Sequence, residues 1–184
     1  AFSLWLNQNT DLGEKLALDQ LELVYGGGSV GMMGILAKSV LDGGGRVTGV
    51  ITRHLYDMEV AFKGLTDMRI VETMHERKAM MAELSDGFIA LPGGFGTMDE
   101  MFEIMTWTQL DLQQKPLGFL NILGYYNGLM TFIEHMFDQE FVNPECRSLL
   151  QIDESPAGLL ERFRSYTPLM TDKGEWAKKL AVNL

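Results

Sequence analysis

The chain has 184 residues, 46% apolar and 22% charged, with a formal net charge of −10. That length accommodates one domain with a substantial core, residues 1–184 as a single unit. The acidic balance argues against broad nucleic-acid binding, which needs a basic surface, but not against a small phosphorylated ligand held by a few backbone amides and one or two cations.

Residues 1–6 read either as a first strand or as the start of one helix, 2–18, interrupted around 7–10. Residues 21–25 read as a buried strand ending in Gly26-Gly27-Gly28-Ser29. A helix over 32–41 is stopped by Gly43-Gly44-Gly45, and 46–51 is the next strand. Residues 67–71 form a weaker strand, with Glu59 and Lys63 in the connection before it. Thr73 opens a helix to about residue 84, with Glu76 three residues on completing a capping box. Residues 87–91 read as a strand, 92–97 as a turn-rich loop and 98–112 as a long amphipathic helix. Residues 117–122 are another strand, followed by a helix over about 126–140. A short strand at 149–152 and a helix over 156–166 close the pattern. Strands alternating with helices predict an α/β protein with a mainly parallel, Rossmann-like doubly wound sheet flanked by helices. The first strand of such a sheet is central, so the second reading of the N-terminus leaves that strand missing from this chain.

The segment Pro92-Gly93-Gly94-Phe95-Gly96-Thr97-Met98-Asp99-Glu100 carries the strongest chemical signal. Its glycines let backbone approach a ligand without a Cβ in the way. The helix that follows offers unpaired amides and a positive dipole end to an anion. Gly26-Gly27-Gly28-Ser29-Val30-Gly31 has the same strand-to-helix setting. Two such loops at the carboxyl ends of parallel strands are expected to face one crevice, where open α/β sheets bind ligands.

Structural readings compete with functional ones. Thr97 stands where a helix N-cap belongs and has Glu100 three residues on, so Glu100 is open to a purely capping role. His54, His75 and His135 lack metal-ligand spacing, and no metal or cofactor is expected. Cys146, the single cysteine, permits no intrachain disulfide and fits a reducing compartment; without a base partner in the sequence it reads as a structural thiol. The thirteen methionines fall largely at helical spacings and read as core. No apolar run is long enough to cross a bilayer. No basic segment precedes an apolar stretch as in a signal peptide. A cytoplasmic protein without membrane partners is expected.

Residues 91–100 resemble the PGGxGTxxE motif of the LONELY GUY (LOG) family, the cytokinin-activating phosphoribohydrolases. Val24–Gly34 resembles that family's first glycine loop, and Met74-His75-Glu76-Arg77-Lys78-Ala79 its M-H-x-R-K-A segment. Thr106-Trp107-Thr108-Gln109-Leu110 and Gly124-Tyr125-Tyr126-Asn127 are also similar, and the likeness covers about residues 11–150 in order. It departs at the amino end, where family members begin with a strand and a C-G-S-type loop that this sequence does not contain. Family members have often been labelled lysine decarboxylases, but nothing here marks the Schiff-base lysine and pyridine-nitrogen partner of a pyridoxal enzyme.

The resemblance implies hydrolysis of a cytokinin riboside 5′-monophosphate, or of AMP, to free base and ribose 5-phosphate, with Arg77 and Glu100 catalytic. It implies that Lys78, Gly94, Phe95, Gly96, Thr97, Met98 and Asp99, with Gly27, Gly28 and Ser29, bind the phosphoribosyl part. Glu59 and Thr106 match further substrate contacts, and a homodimer is implied. The alternatives are a carrier of the same fold without hydrolase activity, since some relatives have been linked to molybdenum-cofactor binding, and a broader purine or pyrimidine nucleotide nucleosidase.

Overall fold

The computed structural model describes residues 2–58 and 60–168. The chain divides into two compact units, the first ending at Asp86 and the second beginning at Gly87.

The first unit opens with α1 (Phe2–Leu18), a continuous helix without a break at 7–10. The strand reading of residues 1–6 is therefore corrected for 2–6. Then follow β1 (Leu23–Tyr25), α2 (Gly31–Asp42), β2 (Val47–Thr52), α3 (Arg53–Asp57), β3 (Asp67–Val71) and α4 (Met74–Leu84). The sheet order is β1-β2-β3, all parallel, with Val24 opposite Thr48 and Val50 opposite Arg69. β2 is the middle strand and every residue of it is buried. A strand covered on both faces tolerates no charged side chain, and VTGVIT has none. α1 packs on α2 through small residues: Ser39 Oγ donates to the Thr10 carbonyl at 2.8 Å, and a Cβ on Gly13 would lie 2.5 Å from that of Ser39. The five-residue α3 is too short to leave a periodic signal and was not expected. Its start is fixed by Thr52, whose side chain accepts from Leu55 N.

The second unit contains β4 (Phe88–Ala90), α5 (Phe95–Gln109), β5 (Leu117–Leu120), a 3-10 turn (Ile122–Gly124), α6 (Asn127–Asp138), a 3-10 helix (Pro144–Leu149), β6 (Leu150–Asp153) and α7 (Pro156–Arg164). Its parallel sheet has the order β4-β5-β6, with the fully buried β5 in the middle. Each order, three parallel strands joined through helices, is that of a half of a doubly wound α/β fold. Ile133 and Phe137 of α6 bury with Cys146 and Leu149, so the cysteine belongs to an apolar cluster. Among the described residues no helix is long and apolar enough to cross a membrane.

Most elements fall within three residues of the sequence expectation at either end. The difference that matters is at α5, expected over 98–112. It begins three residues earlier, because Gly94 takes the extended N-cap conformation (φ −95°, ψ −153°) and its carbonyl accepts the first helical bond from Met98 N at 3.1 Å.

Candidate active site: two glycine loops

In the first unit, the loop after β1 folds over Arg77. The backbone at Gly27 has φ +74°, a left-handed conformation that favours glycine. Any Cβ on Gly26 would collide with Nη2 of Arg77, so the guanidinium lies directly against the loop backbone. Arg77 projects from α4, is only 8% exposed, and its Nε donates to the Val50 carbonyl at 3.0 Å. A buried guanidinium must be paired or hydrogen-bonded to be tolerated, and here one edge of its fork is anchored on β2. Lys78 follows it on α4 and is half-buried.

The same loop is tied down on its other side. Ser29 N and Oγ donate to the Val60 carbonyl at 2.9 and 3.2 Å, and Phe62 N donates to the Gly27 carbonyl at 2.8 Å. Tyr25 Oη donates to the Gly28 carbonyl at 3.1 Å, and burial pushes that phenol's pKa up. Ser29, expected as a substrate contact, thus also clamps the loop to residues 60–62. α2 starts beyond it with Val30 as N-cap and no side-chain cap. Glu59 lies outside the described residues.

α4 itself starts as its sequence predicts. Thr73 Oγ1 accepts from Glu76 N at 3.1 Å, and Glu76 Oε2 accepts from Thr73 N at 3.3 Å and Glu72 N at 2.9 Å. This capping box fixes the first turn of α4, on which Arg77 is carried.

In the second unit, the expected box at Thr97 and Glu100 is not formed. The N-cap is Gly94, no side chain caps it, and Thr97 is the third helical residue. Its side chain instead packs back on Gly93, where any Cβ would collide with Thr97 Oγ1. Early initiation leaves the amides of Phe95, Gly96 and Thr97 without intrahelical acceptors, while Cβ positions at Gly94 and Gly96 look into open space. Phe95 is 96% exposed between these two glycines. Met98 and Glu100 are half-buried and Asp99 is exposed. Released from capping, Glu100 stands in the second turn of a helix whose open end suits an anion.

Thr106 is separated from Glu100 on the same helix. At about 100° per residue it lies roughly 120° around α5 and about 9 Å along it. Thr106 Oγ1 donates to the Phe102 carbonyl at 2.8 Å. It lines, with Phe102, Met105, Gln109, Phe137 and Cys146, a largely apolar cavity of about 100 Å³.

In the sequence, Gly124-Tyr125-Tyr126-Asn127 carries a family resemblance but no assigned role. In the structure Tyr125 Oη donates to the Gly93 carbonyl at 2.7 Å and Tyr126 Oη to the Leu91 carbonyl. The motif was the available signal, but its partner loop lies more than thirty residues earlier and only the fold brings the two together.

A parallel α/β fold with two glycine loops, each between a strand and a helix start, and a buried arginine laid against one of them, defines a Rossmann-type protein built to present backbone amides and a fixed cation. A family model described as "Possible lysine decarboxylase" matches residues 33–163. A probable cytokinin riboside 5′-monophosphate phosphoribohydrolase of Oryza sativa subsp. japonica is 44% identical over 86% of this chain and 63% of its own length. A cytokinin riboside 5′-monophosphate phosphoribohydrolase of Arabidopsis thaliana is 42% identical over 86% of this chain and 74% of its own. The chain belongs to this family, the LOG family of the earlier resemblance. The chain spans less than two thirds of the length of the rice relative. The fold is also that of the molybdenum cofactor binding protein from Rippkaea orientalis (TM-score 0.67, 20% identity, covering 88% of this chain and 86% of that one).

Proposed function

We propose that the protein hydrolyses the N-glycosidic bond of nucleoside 5′-monophosphates, either cytokinin riboside 5′-monophosphates or AMP, giving free base and ribose 5-phosphate. The observation that carries this reading is the buried Arg77 guanidinium, anchored on Val50 and pressed against the Gly26 backbone. A pre-placed cation in a glycine loop is anion-binding machinery, and its planar fork suits phosphate or ribose oxygens better than lysine. The names of the rice and Arabidopsis relatives support the substrate class.

In this reaction the bond from the ribose C1′ to the base nitrogen breaks with its electron pair going to the base. Positive charge builds on the ribose, as in glycoside hydrolysis. Water supplies the new oxygen at C1′ and a proton for the departing base. The Glu100 carboxylate stabilises the cationic ribose or takes the proton of the attacking water. Arg77 and Lys78 hold phosphate or ribose oxygens. The amides of Gly94, Phe95, Gly96 and Thr97, with Met98, Asp99 and the Gly27-Gly28-Ser29 turn, receive the phosphoribosyl part. Glu59 and Thr106 contact the remainder of the substrate. The reading needs no metal or cofactor.

The working form in this reading is a cytoplasmic homodimer with the base near the subunit interface. Its support is the family resemblance and the position of Thr106, turned about 120° around α5 from Glu100. A contact from Thr106 to the substrate is then naturally supplied by a second copy.

The test is a panel of AMP, isopentenyladenosine monophosphate, GMP and CMP, with release of free base measured by chromatography. Release from AMP or the isopentenyl compound is expected. Nucleotide binding without release of any base would sink the hydrolase reading in favour of a carrier.

A further inference from the structure

The peptide joining Gly93 to Gly94 has glycine on both sides, which makes it among the easiest in the chain to flip. A flip matters here, because a carbonyl and the following amide lie on opposite edges of one peptide plane. One orientation offers an N–H to the cradle formed at the start of α5. The other offers a carbonyl oxygen, which repels an anion.

Tyr125 fixes this choice. Its hydroxyl donates to the Gly93 carbonyl at 2.7 Å and so turns Gly94 N–H to the opposite side. Tyr126 holds the carbonyl of Leu91, two residues earlier. The two tyrosines are themselves held. Tyr126 is 2% exposed, with its ring edge-on to Phe119 at 4.9 Å and to Tyr125 at 5.0 Å. Asn121 Oδ1 accepts from Tyr126 N at 2.7 Å, Asn121 Nδ2 donates to Asn127 Oδ1 at 2.8 Å, and Asn121 N donates to the Asp153 carbonyl of β6 at 2.7 Å. The approach to Tyr125 is made by two consecutive left-handed residues, Leu123 (φ 52°) and Gly124 (φ 70°). That conformation is uncommon for leucine, and at 124 a Cβ would sit 2.6 Å from Asn127 Nδ2. Strained backbone persists where its surroundings over-determine it, and here it delivers a hydroxyl to one carbonyl of the glycine loop.

We propose that Tyr125 is a positioning residue for phosphate: it locks the Gly93–Gly94 peptide so that the loop presents amide and not carbonyl to the anion, with Tyr126 bracing the loop behind it. The proposal rests on reading loop 92–97 as the phosphate cradle.

The test is Tyr125→Phe, which removes one hydroxyl from a partly exposed side chain. Affinities for AMP and for adenosine are measured by calorimetry, alongside the melting temperature. We expect AMP binding to weaken about tenfold, roughly the worth of one well-placed hydrogen bond, with adenosine binding and melting temperature unchanged. In turnover the same variant should raise KM for AMP and leave kcat within about threefold. Unchanged AMP affinity, or equal weakening of AMP and adenosine, would overturn the proposal. Tyr126→Phe empties a buried contact and should lower the melting temperature as well, so it serves as the structural comparison. If wild type cleaves AMP and Tyr125→Phe binds it equally well, only this proposal fails. If AMP is bound but neither it nor isopentenyladenosine monophosphate is cleaved, and Tyr125→Phe binds AMP about tenfold more weakly, only the hydrolase reading fails. If wild type binds neither nucleotide, both fail.

Discussion

Arg77 occupies the space that a side chain at Gly26 would need. The guanidinium is the yielding partner, because it is the far end of a flexible side chain, while Gly26 is backbone at the end of β1. Gly26→Ala should therefore fold and yet displace the guanidinium proposed to hold substrate oxygens. Since Arg77 Nε is fixed on the Val50 carbonyl, the displacement costs that bond or moves the fork off its target. A misplacement of about 1 Å at a positioned group costs about a hundredfold in rate, so kcat/KM for AMP should fall by that order, with a modest drop in melting temperature where the buried hydrogen bond is lost. Gly128→Ala, where the added Cβ meets nothing within 4 Å, is the control and should leave activity unchanged. Equal activity in the two variants would show that the placement of Arg77 is immaterial.

The two Thr-x-x-Glu segments should respond oppositely. Thr73→Ala removes a cap that accepts from Glu76 N and should cost about 1 kcal/mol in denaturant unfolding. Thr97 caps nothing, so Thr97→Ala should cost less than about 0.5 kcal/mol while weakening the site. Glu100→Gln should likewise keep stability and lose at least about a hundredfold in kcat. Near-normal turnover with a normal melting curve would remove Glu100 from the chemistry altogether, since the cap is no longer available to explain it.

That contrast shows how far the sequence could be read. The capping spacing is identical at Thr73 and Thr97, and spacing alone predicts a box at both. At Thr97 the preceding Pro-Gly-Gly lets the backbone extend at Gly94, so the helix starts three residues early. The middle strands β2 and β5 were legible because both faces are buried and the runs carry no charged residue. The role of Tyr125 was not, because a bond from a phenol to the carbonyl of residue 93 exists only after β4 and β5 are paired. The position of Thr106 relative to Glu100 was legible in principle, as six residues of helix fix an angle, but only once the helix was known to run unbroken through both.

The phosphate should be an obligatory handle. In the proposed reading an acidic chain binds its substrate chiefly through the phosphate, with a buried arginine and glycine-loop amides as the donors. Binding energy from the phosphate would then position the ribose for cleavage. Adenosine should consequently be a far poorer substrate than AMP, by at least about a hundredfold in kcat/KM. Equal kcat/KM for the two, measured by adenine release, would refute the handle while leaving hydrolysis itself intact.

The assembly prediction follows from α5. Glu100 and Thr106 share this helix but stand roughly 120° apart around it. Thr106 already donates to the Phe102 carbonyl beside an apolar cavity. If both residues serve substrate, Thr106 is expected to serve the site of a second copy. Mixed dimers test this directly. Glu100→Gln alone and Thr106→Gln alone should each be poorly active. Mixing the two after dissociation and reassociation makes half of the dimers hybrid, and each hybrid then has one site with both wild-type residues. Activity should return to on the order of a quarter of the wild-type level. If the two residues act within one subunit, no hybrid site is intact and mixing restores nothing. Full activity of Thr106→Gln by itself would remove Thr106 from the substrate contacts. An active monomer, seen by sedimentation at assay concentration, would rule out the shared site.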